Sequence, residues 1–222
     1  MPTTHRARRL PAEQRKRLII ESARQVFASQ GYARVGTADL AKAAGISEPA
    51  LYRHFAGKKE LFLETIRSTR PRLLDIWEEI SVDYEDPIDT LRAIGAYYYD
   101  HLESHAANMK LQWRALSEAD DPEIRDALRA NFESFVGFVA DTLEEGKARG
   151  LVKPDLDSRM FAWHFLGNGM MMDLMHMLGF TDEINQPRAD RSNRAYVDSV
   201  RTKDGHSRPY VNAEASPARS MA

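Results

Sequence analysis

Apolar residues in this chain recur at intervals of three and four, and nowhere do they alternate with polar ones over a strand's length between turn signals. That period suits helices with one buried stripe. The 222 residues are therefore expected to form an all-α protein, long enough for a small domain joined to a larger one. Glycine and proline supply the punctuation. A first helix is expected from Ala12 to Ser29, with Leu18, Ile19, Ala23, Val26 and Phe27 on its buried face and Gly31 as its stop. Thr37 is read as the cap of a short helix to Ala44, and Ser47 as the cap of another ending near His54, with Pro49 in its first turn. A fourth helix begins at Lys58 and is ended or kinked by Pro71; a fifth can start at Pro87. Asp121-Pro122-Glu123 opens a helix to Lys147, Asp155 or Asp157 opens one through Leu178, and a weaker one spans roughly Asp182 to Val200. The polar stretch from Lys203 reads as a disordered tail.

Composition excludes several classes. There is no cysteine, so disulfide scaffolds, thiolate metal sites and thiol catalysis are out. No apolar run approaches the ~18 residues a membrane span needs, and the basic N-terminus leads into charged sequence, not an apolar signal core. A cytoplasmic protein with no membrane partner is expected. The net charge of -2 hides an asymmetry: residues 1–60 hold 12 Lys and Arg against 5 Asp and Glu, whereas the remainder holds 19 against 28. A basic head on an acidic body is a nucleic-acid signature, although a basic arm can also be merely solvated.

The stretch from Thr37 to Phe55 carries the functional reading. Two helices of about two turns meet at Gly45-Ile46-Ser47, with Leu40, Ala41 and Ala44 set to face Leu51 and Phe55. This is a helix-turn-helix, whose second helix can enter a major groove ~12 Å wide. Tyr52 and His54 offer polar tips to phosphates; Lys58 and Thr37 sit at helix N-termini that favour an anion. Ser47, Glu48, Ala50 and Arg53 are best placed for base edges, beside Pro49. A structural hairpin with a solvated face is the competing reading.

The order of elements closely resembles the DNA-binding domain of the TetR/AcrR family of bacterial transcriptional regulators. The resemblance rests on Gly31-Tyr32, Thr37, Ala44-Gly45-Ile46-Ser47, Leu51-Tyr52-Arg53-His54-Phe55 and Lys58, all in register, over residues 12–66. Gly57 replaces the usual Ser or Asn cap, and Lys59 stands where an acid is usual, adding positive charge. The resemblance implies a homodimeric repressor that binds a double-stranded operator and is released by a small effector held in the C-terminal body. Together with the composition of the two ends, it divides the chain into a basic arm (1–11), a reading head (12–66), a ligand-binding and dimerisation body (67–202) and a tail (203–222). The arm, with His5, Arg6, Arg8 and Arg9, resembles extensions that reach along the DNA backbone. The alternative is a small-molecule-binding helical protein whose head serves protein contacts.

The body is read from its residues alone. Met160 to Leu178 holds six of the nine methionines and is apolar nearly all round, so both faces should be buried, one in the core and one against a second subunit. Candidate ligand contacts for an apolar effector are Tyr98, Met109, Trp113, Phe132, Phe135, Trp163, His164 and Met171. Asp173 and His176 could pair with each other or touch a polar ligand group. His101 and His105 lie four apart, but no third metal ligand is evident. No cofactor, metal or catalytic constellation is expected, and therefore no enzyme.

Overall fold

The computed structural model describes residues 11–202 apart from Thr181 and Ile184, so the basic arm before Pro11 and the tail from Lys203 lie outside the described residues. Ten α-helices are found among those described, and no named strand. The first four build the head: α1 (Ala12–Gln30), α2 (Thr37–Ala43), α3 (Glu48–Leu51) and α4 (Lys58–Arg67). Their apolar stripes converge on Phe27, Leu40, Leu51, Phe55, Leu61 and Phe62, none more than 2% exposed. Phe62 meets Phe27 edge-on at 4.9 Å and Tyr32 at 4.7 Å between centroids, geometries that add to the burial itself.

Two expectations for the head need correction. Leu18 is 52% exposed, because the buried stripe of α1 follows Ile19, Ala23 and Phe27 and leaves position 18 off its edge. Thr37 is the first helical residue, not the cap; Gly36 caps α2, and the Asp39 carboxylate accepts from the Gly36 N–H at 3.1 Å. At α4 the cap is Gly57, with φ 174°, an extended backbone open to any residue, and no atom within 4 Å of a Cβ added there. The Glu60 carboxylate accepts from the Ala56 N–H, ahead of the helix, and no side chain caps the first amides of α4. Gly57→Ser should therefore raise stability by a few tenths of a kcal/mol, read as a slightly higher urea midpoint; a decrease would mean that the hydroxyl cannot reach the α4 amides.

The body is α5 (Thr69–Val82), α6 (Pro87–Asp100), α7 (Leu102–Leu116), α8 (Pro122–Ala148), α9 (Ser158–Leu178) and α10 (Gln186–Asp198). Local chemistry sets most starts. Asp86, Asp121, Asp157 and Asn185 each accept from amides of the helix they open, and Pro follows three of the four caps. The break between α4 and α5 is one residue, Ser68; Pro71, in the first turn of α5, has no N–H to offer the carbonyl of Arg67. A break at His101 divides what the sequence shows as continuous into α6 and α7. Gly179, at φ 80°, ends α9 in the left-handed region that favours glycine.

α8 is the spine of the body, packed along α9, with its N-terminal turns under the head and its C-terminal half under α5 and α6. Accordingly the head's core runs on into the body through Leu111, Ala115, Ile124 and Leu128. α10 lies on α6, held by Arg92 to Asp198 and by Arg201 to Asp86 and Asp89. No helix among the described residues is long and apolar enough to cross a membrane.

Candidate nucleic-acid interface and body cavity

Gly45, at φ 65°, makes the corner that sets α3 across α2, and Leu40, Ala41 and Leu51 seal the joint. What remains outside is the candidate reading face. Ser47, Pro49, Tyr52 and Arg53 are exposed; Thr37, Glu48, Ala50 and His54 are half-buried. α3 ends at Leu51, but Tyr52 bonds back to the Glu48 carbonyl at 3.1 Å, and His54 and Phe55 to the Leu51 carbonyl at 2.9 and 3.0 Å, so Tyr52 and Arg53 ride on a firm turn. Thr37 donates its hydroxyl proton to Glu48, and the Tyr52 hydroxyl reaches Thr37 Oγ1 at 3.4 Å. Glu48 is thus engaged in joining α2 to α3, while Arg53 is exposed and makes no side-chain bond among the described residues.

The two lysines that open α4 differ. Lys58 donates to the Tyr32 carbonyl at 3.1 Å and lies 4.4 Å from the centre of that ring, leaving two of its three N–H donors. Lys59, read from sequence as added positive charge, pairs with Asp121 at 2.8 Å and Glu123 at 2.6 Å. Its charge is therefore directed at the acidic first turn of α8, and those hydrogen bonds hold its ammonium above the usual lysine range.

Three more contacts tie head to body. Arg114 of α7 donates to the Ser29 carbonyl at 2.9 Å, filling the space where a side chain on Gly31 would stand. Arg24 of α1, 5% exposed, pairs with Glu21 at 3.1 Å, donates to Asn108 Oδ1 at 3.2 Å and donates to Ser68 Oγ at 3.2 Å. One guanidinium thus spans the head, α7 and the α4–α5 break.

Above that junction lies an apolar cavity of about 100 Å³, bounded by α5, α6, α7, α8, α9 and α10. Tyr98, Phe132, Phe135 and Met171 line it. Met109 lines a smaller cavity beside it, which shares Leu73, Tyr98, Gln112 and Asp173 with the first. Trp113, Trp163 and His164 line neither; Trp163 is 41% exposed and stacks on Phe132 at 6.1 Å. Sequence reasoning passed over Trp77, Phe165 and Asn193, which the packing of α5, α9 and α10 brings to the larger cavity. The suggested Asp173–His176 pair does not form. The Tyr98 hydroxyl instead lies 2.8 Å from each Asp173 oxygen, and burial pushes the Asp173 carboxyl up to about 7 despite that bond.

The outward side of α9 is the face that the sequence reading set against a second subunit. Met160, Trp163, Met171, Leu174 and Leu178 are exposed along one stripe of the single chain, and a Cβ on Gly167, within that stripe, would meet nothing within 4 Å. His101 and His105 have their rings 5.8 Å apart, and no group of three metal-type side chains occurs among the described residues.

Residues 19–65 match the sequence model of the bacterial regulatory proteins of the tetR family. The transcriptional activator FasR of Mycolicibacterium smegmatis is 28% identical over 181 residues, 76% of this chain and 80% of its own. The transcriptional repressor KstR2 of the same organism is 30% identical over 148 residues, 66% of this chain and 71% of its own. Among solved structures, FadR of Bacillus subtilis in complex with stearoyl-CoA superposes with a TM-score of 0.68 at 18% identity, over 86% of this chain and 99% of that one.

Proposed function

The chain belongs to the TetR family of bacterial transcriptional regulators, and from that premise we propose that it is a homodimeric repressor released from its operator by a small effector bound in the body cavity. It is a binding protein, with no reaction assigned to it. The observation that carries the reading is the pairing of an exposed, firmly seated Arg53–Tyr52 turn with a cavity joined to the head through Asn108 and Arg24. The apolar stripe on α9 supports the dimer, because a monomer rarely leaves such a strip to water, and Gly167 lets a second helix approach closely. Repression is the direction named for the relative KstR2 and activation that named for FasR; the cavity supports the reading of a small effector, as does the stearoyl-CoA carried by the structural neighbour. An effector acts only through its different affinity for the two head spacings, and a ~100-fold difference amounts to about 2.7 kcal/mol per site.

Titration with salt tests the reading. Affinity for random duplex should fall with a log–log slope of about -0.9 per phosphate contacted. Replacing Tyr52, His54 or Lys58 should weaken operator and random duplex alike, whereas Arg53→Ala should lose about tenfold in discrimination between them. Equal loss of discrimination from all four would place the reading face elsewhere. Binding that ignores salt would favour a head that contacts protein.

A further inference from the structure

If the larger cavity is the effector site, its walls also say what charge the effector carries. They hold five aromatic rings, those of Trp77, Tyr98, Phe132, Phe135 and Phe165, and a single carboxylate, Asp173. Among the described residues no Lys, Arg or His lines it. Asp173 is 5% exposed and takes a hydrogen bond from one group, the Tyr98 hydroxyl. That hydroxyl has one proton, whereas an ionised carboxylate offers about four acceptor positions. Gln112, Asn168, Ser192 and Asn193 also line the cavity, but among the described residues none of them bonds to Asp173, so the carboxylate is short of donors and the site has no positive charge.

We propose that the cavity takes a lipophilic amine in its protonated form, with the ammonium against Asp173 and the apolar portion among the aromatic rings. An ammonium supplies the missing N–H donors and a charge-assisted bond, and the ring faces attract a desolvated cation. A carboxylate or phosphate in the same place meets a buried acid with no cation to offset it. Other charges near Asp173 do not reverse this. Arg72 of α5 and His105 of α7 border the smaller cavity behind it. Arg72 is exposed and screened by water. His105 is held below the usual histidine range by burial first, then by the charges of His101 and Arg72, all of which disfavour its charged form. His176, on Asp173's own helix, makes no bond to it. The cavity as it stands has room for only a few water-sized groups, and Met170, Met171 and Met172 are the unbranched side chains that can yield to a larger guest.

Matched probes test this on the full chain by calorimetry: 4-phenylbutylamine, 4-phenylbutanol, 4-phenylbutyrate and stearoyl-CoA. The amine should bind about tenfold tighter than the alcohol and tighter still than the butyrate. In Asp173→Asn that preference should shrink to about threefold or less. At pH 6.5 binding should release part of a proton per site to buffer, as Asp173 ionises against the ammonium. Tighter binding of the butyrate or stearoyl-CoA overturns the amine, and so does a preference that Asp173→Asn leaves intact or a lack of proton release; each leaves the cavity as an effector site for another chemistry. If none of the four binds at about 1 mM, the effector-site reading falls as well.

Discussion

Asp173→Asn should stabilise the protein at pH 8 by about 2–4 kcal/mol relative to its effect at pH 4. In the folded chain Asp173 is buried under the Tyr98 hydroxyl and its carboxyl is pushed up to about 7; in the unfolded chain it titrates near the ordinary value of about 3.9. Between these values the folded state keeps a proton that the unfolded state has released, so stability falls as pH rises across that window. Above about 7 both states are ionised and the loss is complete. Asparagine keeps the shape and can accept from Tyr98, but has no charge to bury. The wild-type and variant curves should therefore diverge from pH 4 to 7 and run parallel above. Surface carboxylates with lowered values, such as Glu144 beside Lys147, titrate alike in both proteins and cancel. Thermal melts at five pH values suffice, with a gap at pH 8 of roughly 5–10 °C for a chain this size. A constant gap across the range would mean that water solvates Asp173 in the native state.

What the sequence could show depended on how locally each feature is determined. The starts at Pro87, Pro122 and Ser158 were legible, because an acid at the cap acts on amides two or three residues away. So was the Gly45 corner, which needs only one left-handed residue. The break at His101 was not legible, since no Gly or Pro marks it and Tyr97, His101 and His105 continue a helical spacing. Lys59 showed its charge but not its partners, which lie 62 and 64 residues further on. Cavity residues divided on the same principle. An aromatic on a body helix could be recognised as buried or not only after its neighbours were placed: Phe132 and Phe135 face the cavity, whereas Trp163 turns toward the exposed stripe of α9. Trp77 was passed over because it belongs to the helix directly after the head, where the resemblance no longer guides and where α5 alone shows no reason to bury it. Asp173 was noticed, but its partner Tyr98 sits 75 residues away on another helix.

Arg24 is the residue whose loss should most disturb communication between head and cavity. Arg24→Met keeps most of the buried stem but removes the bonds to Asn108 and Ser68 and the ion pair with Glu21. Hydrogen bonds from a charged donor are worth about 1.5–3 kcal/mol each when they are lost. The three partners are half-buried or exposed and can turn to water, so the net cost should be about 2–3 kcal/mol. The larger consequence is geometric. Ser68 is the sole residue between α4, on which the head stands, and α5, which walls both cavities; Asn108 lines the smaller one. With the guanidinium gone, the head can tilt on the body, and two heads in a dimer no longer hold one spacing. Affinity for an operator selected with the wild-type protein should fall about tenfold or more, while affinity for random duplex, set by phosphate contacts within one head, should change by less than about threefold. A double-mutant cycle with Asn108→Ala isolates the link: a coupling of about 1–2 kcal/mol is expected. Additive losses, or operator and random duplex weakened in equal proportion, would reduce Arg24 to a packing residue and leave the cavity without this route to the reading face.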